Sequence, residues 1–233
     1  MEQVSADGVE TVFDLAENTV REINSALHAA EVSGSFEIRN PAGAHNLAVG
    51  VDAPVRVLIA GHVGYYAAGM NQRAEVVIDG NAGVGVAENM MSGSVVVKGN
   101  ASQSAGATAH GGVLVIEGDA AARCGISMKG VNIVVGGNAG HMSAFMAQSG
   151  TLVVRGDVGD ALGDSIYEAR IYVRGAVASL GADCIAKTMT DEHHAELAAL
   201  LKEAGYDDDT SAYTRYGSGR TLYHFHSDNS DAY

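Results

Sequence analysis

The sequence predicts an all-β fold: a single-stranded parallel β-helix of about seven coils, each 19 residues long. Three observations carry this. Gly61, Gly80, Gly99, Gly118, Gly137, Gly156 and Gly175 are spaced by 19 residues with no insertion. Just before each lies an apolar triplet rich in β-branched residues, from Val57-Leu58-Ile59 to Ile171-Tyr172-Val173, which reads as a short buried strand. After them come His62, Asn81, Asn100, Asp119, Asn138 and Asp157, with Ala176 in the last coil. No single coil can bury its own apolar side, so stacking must close the core.

Gly followed by Asn or Asp is turn chemistry, in which glycine supplies positive φ and the polar side chain bonds nearby backbone. The stacked polar residues could also form a ladder between coils. Small residues recur three and seven positions past each glycine, as at Gly64, Gly83, Ala68 and Ala87, and predict close backbone approach at the corners. A looser second run, such as Cys124-Gly125-Ile126-Ser127-Met128, completes the coil. At about 4.8 Å per strand, seven coils span roughly 30 Å. An eighth, irregular coil is expected at Phe36-Glu37-Ile38-Arg39-Asn40. The hexapeptide β-helix, the calcium-binding nonapeptide and the leucine-rich repeat all demand other periods or frames.

The expected division is 1–34 as an N-terminal cap, 35–185 as the β-helix, and 186–233 as a C-terminal helix and docking tail. In the cap, Thr11 to Ala16 predicts a strand. Asn18 predicts the start of a helix through Ala30, with Val20, Ile23 and Leu27 on one face. Residues 190–204 predict a second helix, with Asp191 and Glu192 in its first turn, Lys202 near its end and Gly205 as its stop. The tail beyond is aromatic, with Tyr206, Tyr213, Tyr216, Tyr223, Phe225 and Tyr233, and is expected to dock.

The 233 residues include 30 glycines but 2 prolines, a balance that fits many tight turns rather than disorder. A net charge of −14 argues against nucleic acid and anionic membranes as partners. The N-terminus reads as no signal peptide and no run is long enough to span a bilayer, so a cytoplasmic location is expected.

The candidate chemistry is thin. Gly80-Asn81-Ala82-Gly83-Val84-Gly85 has glycine-rich cofactor-loop spacing but no helical pattern after it. His224 and His226, with His193, His194, Asp228 and Asp231, could supply metal ligands, though solvated or packed roles are commoner. Cys124 sits in a slot filled elsewhere by small or medium residues and reads as a core filler, and Cys184 has no activating neighbour, so neither reads as a nucleophile. Met70, Met90, Met91, Met128, Met142 and Met146 read mostly as core. No catalytic, cofactor-binding or metal-binding residue is therefore assigned. One pattern points outward. Strand side chains alternate, so Leu58, Val77, Val96, Val115, Val134, Val153 and Tyr172 form an apolar outer stripe. A terminal helix or another chain should cover it.

The glycine repeat, with Ile78-Asp79-Gly80-Asn81-Ala82-Gly83 and Val135-Gly136-Gly137-Asn138-Ala139-Gly140, resembles the GXGXG domain. That domain closes the large subunit of glutamate synthase and forms a separate chain of formylmethanofuran dehydrogenase. The ends, Phe13-Asp14-Leu15-Ala16, Arg21-Glu22-Ile23-Asn24 and Tyr216 to Phe225, are similar to the free-standing glutamate-synthase-like subunits typified by the β-helical chain of N-methylglutamate synthase (methylamine–glutamate N-methyltransferase). The resemblance implies a right-handed β-helix acting as a structural, non-catalytic subunit of a hetero-oligomer. Its partners would be a glutaminase-like subunit and an FMN-binding subunit, with FMN and an iron–sulfur cluster on those chains and no cofactor here. The complex would make N-methylglutamate and ammonia from methylamine and glutamate. The alternatives are a formylmethanofuran-type scaffold and a self-standing assembly protein.

Overall fold

In the computed structural model, residues 11–29 and 34–220 are described. Nine strands stack in parallel: β1 (Thr11–Asp14), β2 (Ser35–Arg39), β3 (Arg56–Ala60), β4 (Glu75–Ile78), β5 (Ser94–Val97), β6 (Val113–Ile116), β7 (Lys129–Val135), β8 (Ser149–Val154) and β9 (Arg170–Val173). The 19-residue period is the register itself. Val57 pairs with Val76, Val76 with Val95, and so on to Leu152 with Ile171. The chain is an all-β parallel β-solenoid of about seven regular turns, as the repeat predicts. The irregular coil is also present. Phe36 pairs with Val57, which makes that turn two residues longer than the others.

The first and third residues of each triplet point inward and fill the solenoid. Val57, Ile59, Leu114, Ile116, Ile133 and Leu152 are fully buried. β-branched side chains suit this site because the pleat already fixes their χ1, so little rotamer freedom is lost on packing.

The turn after each strand carries the expected ladder between coils, but not the expected local turn chemistry. Of the seven repeat glycines, only Gly61 has positive φ, at 141°. The others are needed for space. A Cβ on Gly118 would lie 2.2 Å from Asn100 Oδ1 and 2.8 Å from the Gly99 carbonyl oxygen. The Asn and Asp side chains do not bond their own turns either. Each accepts from the backbone N–H at the same slot one coil on. Asn100 N–H donates to Asn81 Oδ1 at 2.8 Å, Asp119 N–H to Asn100 Oδ1 at 2.8 Å, and Asn138 N–H to Asp119 Oδ1 at 2.7 Å. His62 Nδ1 starts the ladder by accepting from Asn81 N–H. Ala176 N–H, donating to Asp157, ends it. Asn100→Ala is expected to cost about 1 kcal/mol by urea unfolding, the value of one exposed hydrogen bond and its orphaned donor.

The looser run is not a second strand. Residues five, seven and nine past the repeat glycines from Gly61 to Gly156 are left-handed: Tyr66, Ala68 and Met70 in one coil, and Arg123, Gly125 and Ser127 in another; the pattern stops after Gly175. The slot at position seven is small because the packing is tight; Gly106, Gly125 and Gly163 adopt its positive φ freely, whereas Ala68, Ala87 and Ala144 adopt it against the preference of a residue with a Cβ. Alternation aims successive N–H groups at opposite neighbours. Ala87 N–H donates back to Ala67 and Asn89 N–H donates forward to Ala107, so every coil is bonded on both sides.

Both ends are capped. Helix α1 (Val20–His28) starts at Thr19 rather than Asn18, because Thr19 and Glu22 form a reciprocal capping box. Asn18 instead accepts from Asp14 N–H. Ile23 and Leu27 are buried against the first coil, and Asn24 bonds Asn46 and Ala48 there. At the other end, β10 (Cys184–Lys187) and β11 (Thr214–Ser218) run antiparallel to each other, with β11 inserted between β9 and β10. Between them lie helix α2 (Asp191–Glu203) and a 3₁₀ turn (Thr210–Ala212). The docking tail is therefore partly a strand: Tyr216 pairs with Ile171 and with Ala186. Tyr223, Phe225 and Tyr233 lie outside the described residues.

Candidate functional site

The outer stripe is the one surface that the repeat builds but does not use for stacking. Its C-terminal half is covered by the chain itself. Leu197, Leu200 and Leu201 of α2, spaced to share one helix face, pack on Val134, Val153 and Tyr172, all fully buried. Val96 and Val115 lie beneath Ala204. The apolar stripe therefore does not by itself demand a second chain over these coils. Its N-terminal part remains a groove of about 900 Å³, with Leu58 and Val77 on its floor and Glu203 to Tyr206 at one end.

A polar network clamps α2 and the following loop beside this groove. Arg155 grips Asp208 with two bonds, Nε to Oδ2 at 2.6 Å and Nη2 to Oδ1 at 2.8 Å. Arg174 adds a 3.3 Å contact to Asp208, and Tyr213 donates its hydroxyl at 2.7 Å. Tyr206 lies under the Arg155 guanidinium, 3.8 Å from ring centroid to Cζ. These donors, Arg155 first, hold the Asp208 carboxyl down at a pKa of about 2. A second anchor is Glu196, which accepts from Tyr172 at 2.8 Å and pairs with Arg170 at 3.2 Å. The sequence reading missed Arg155, Arg174 and Asp208. A signal existed: arginine occupies the same coil position in two successive turns, flanking the stripe, and such a pair calls for a carboxylate between them.

The other candidates do not converge. In Gly80–Gly85 a Cβ on Gly83 would sit 2.4 Å from the Gly64 carbonyl carbon, so that glycine serves coil stacking. The next element along the chain is strand β5, not a helix. His193 Nδ1 accepts from Thr190 N–H at the start of α2, and burial lowers its pKa. His194 bonds Thr210 at 2.9 Å. His224, His226, Asp228 and Asp231 lie outside the described residues, among which no cluster of three metal-type ligands occurs. Both cysteines are buried fillers, and burial pushes the Cys124 thiol up to about 12 and Cys184 to about 11. At pH 8 neither should react with a thiol reagent in the folded chain, while denaturant should release two thiols in the same assay.

The methionine reading needs correction. Met90 and Met128 are core, but Met70, Met91 and Met146 are exposed and Met142 is half-buried. Met70, Met142 and Met146 occupy the fifth and ninth slots past their glycines, which face outward, while the equally left-handed seventh slot holds the buried Ala68, Ala87 and Ala144.

No helix among the described residues is long and apolar enough to cross a membrane. No family model matches the chain. It is 59% identical over 226 residues to Protein GlxC of Rhizobium meliloti (strain 1021), a match that spans 95% of this chain and 99% of that one. Identity at this level over nearly the whole of both sequences leaves no room for a different architecture, and the chain belongs to the family of Protein GlxC.

Proposed function

We propose that the chain is the structural, non-catalytic subunit of a glutamate-synthase-like complex that makes N-methylglutamate from methylamine and glutamate. The observation that carries this reading is the division of labour within the coil. Inward positions fill the core, turn positions form the Asn/Asp ladder, and the outward strand positions build a docking face. Each repeated slot thus has a structural task, and the resemblance to the GXGXG domain supplies the kind of assembly. A glutaminase-like subunit and an FMN-binding subunit would carry the chemistry, with FMN and an iron–sulfur cluster bound there. The cytosol is the matching location.

Co-expression with a glutaminase-like chain and an FMN-binding synthase-like chain tests this. The expected result is one stable complex with methylamine-dependent formation of N-methylglutamate that falls when this chain is omitted. Equal activity from the other two chains alone would overturn the proposal, as would turnover by this chain alone.

A further inference from the structure

We propose that the open end of the outer groove seats a basic amphipathic helix from a partner subunit, continuing the line of α2. This rests on the scaffold reading above and names the chemistry of one contact.

The groove already holds a helix along part of its length. α2 lays Leu197, Leu200 and Leu201 along outward residues that succeed one another by one coil. Coils are about 4.8 Å apart and a helix rises about 4.5 Å in three residues, so a helix face can track the stripe coil by coil. Val77 and Leu58 continue that stripe beyond Val96, which lies beneath Ala204, where α2 stops. Gly205, at φ 86°, then turns the chain aside, leaving Leu58 and Val77 only half-buried by the described residues. From Val96 to Leu58 the stripe runs two coil spacings, roughly 10 Å, which matches about 7 residues of helix at about 1.5 Å each.

Charge selects the occupant. The cations of the groove walls are already engaged: Arg56 pairs with Glu75 at 3.0 Å, Lys98 with Glu117 at 2.5 Å, and Arg155 with Asp208. Asp79 and Glu203 line the groove without a matching cation among the described residues, and both are exposed. The C-terminal end of α2, negatively polarised, points at the same opening. A cationic helix complements all three. A second copy of this chain does not, because it too carries a net charge of −14.

The probe is a labelled synthetic helix of about 14 residues, with leucines at i, i+3 and i+7 and lysines on both flanks, titrated into the full chain by fluorescence anisotropy. Saturable binding is expected, weakened at least ten-fold by Val77→Lys and by Asp79→Lys, and lost when the lysines of the peptide become glutamates. Circular dichroism melting checks that both variants fold. Equal binding to the wild type and Val77→Lys, equal binding of the acidic peptide, or no saturable binding would each overturn the proposal. So would a dimer in sedimentation equilibrium that Val77→Lys dissolves, since the occupant would then be a second copy. In the co-expressed complex, Val77→Lys should release one partner subunit. A complex that survives Val77→Lys intact sinks the groove but spares the scaffold. A wild-type chain that joins no partner sinks the scaffold, while the peptide titration still decides the groove.

Discussion

Gly118→Ala is expected to destabilise the chain by about 3 kcal/mol, the upper end of the cost of overpacking a filled site. One methyl group is enough because the space is already taken. The new Cβ would meet Asn100 Oδ1 at 2.2 Å and, behind it, the Gly99 carbonyl oxygen at 2.8 Å. If Asn100 swings away, Asp119 N–H loses its acceptor. If it stays, the two coils must separate, which lengthens the bond from Gly118 N–H to Gly99 O, now 3.1 Å. The urea midpoint should fall accordingly. Asn100→Ala in the same background should recover only part of the loss, because the clash with Gly99 remains. A Gly118→Ala chain within about 0.5 kcal/mol of the wild type, the range of a neutral surface change, would refute this account of the repeat glycines.

Asp208→Asn is expected to cost about 2 kcal/mol, the scale of hydrogen bonds to a charged group that lose their charge. Asp208 gathers Arg155, Arg174 and Tyr213 around one carboxylate. Its folded pKa is depressed, from 3.8 to about 2. Stability from this group is therefore fully present above about pH 4 and is lost as pH falls through the interval down to about 2. Wild-type unfolding midpoints measured across that interval should fall more steeply than those of Asp208→Asn. Since Arg155 and Tyr206 line the end of the groove, near-ultraviolet dichroism of the tyrosines should change with the same profile.

The sequence showed the period, the strand triplets, both helices and the outer stripe, because each rests on a local or repeated pattern. It misled where one residue type serves two physical ends. Glycine at a turn suggests positive φ, yet Gly80 and Gly118 give up their side chains to a neighbouring coil that a single turn does not reveal. Asparagine at a turn suggests both a local bond and a ladder between coils, and of the two Asn81 and Asn138 make the ladder. Methionine is read as core by its hydropathy, but Met70 and Met146 sit at left-handed positions that face out. The clamp at Asp208 was hidden for another reason. Arg155 and Asp208 are 53 residues apart, and only the return of the tail along the solenoid brings them together.

The ladder of Asn and Asp side chains has a further meaning. It is directed: every rung borrows a donor from the next coil, and the row runs from His62 to Ala176 without a break. Because each rung is satisfied by an identical slot, a 19-residue block could be added or removed without leaving a polar group stranded at the seam. The solenoid thus behaves as a ruler with a fixed graduation of about 4.8 Å. The distance between the α1 cap and the α2 clamp can change only in whole graduations, and the length of the open groove changes with it.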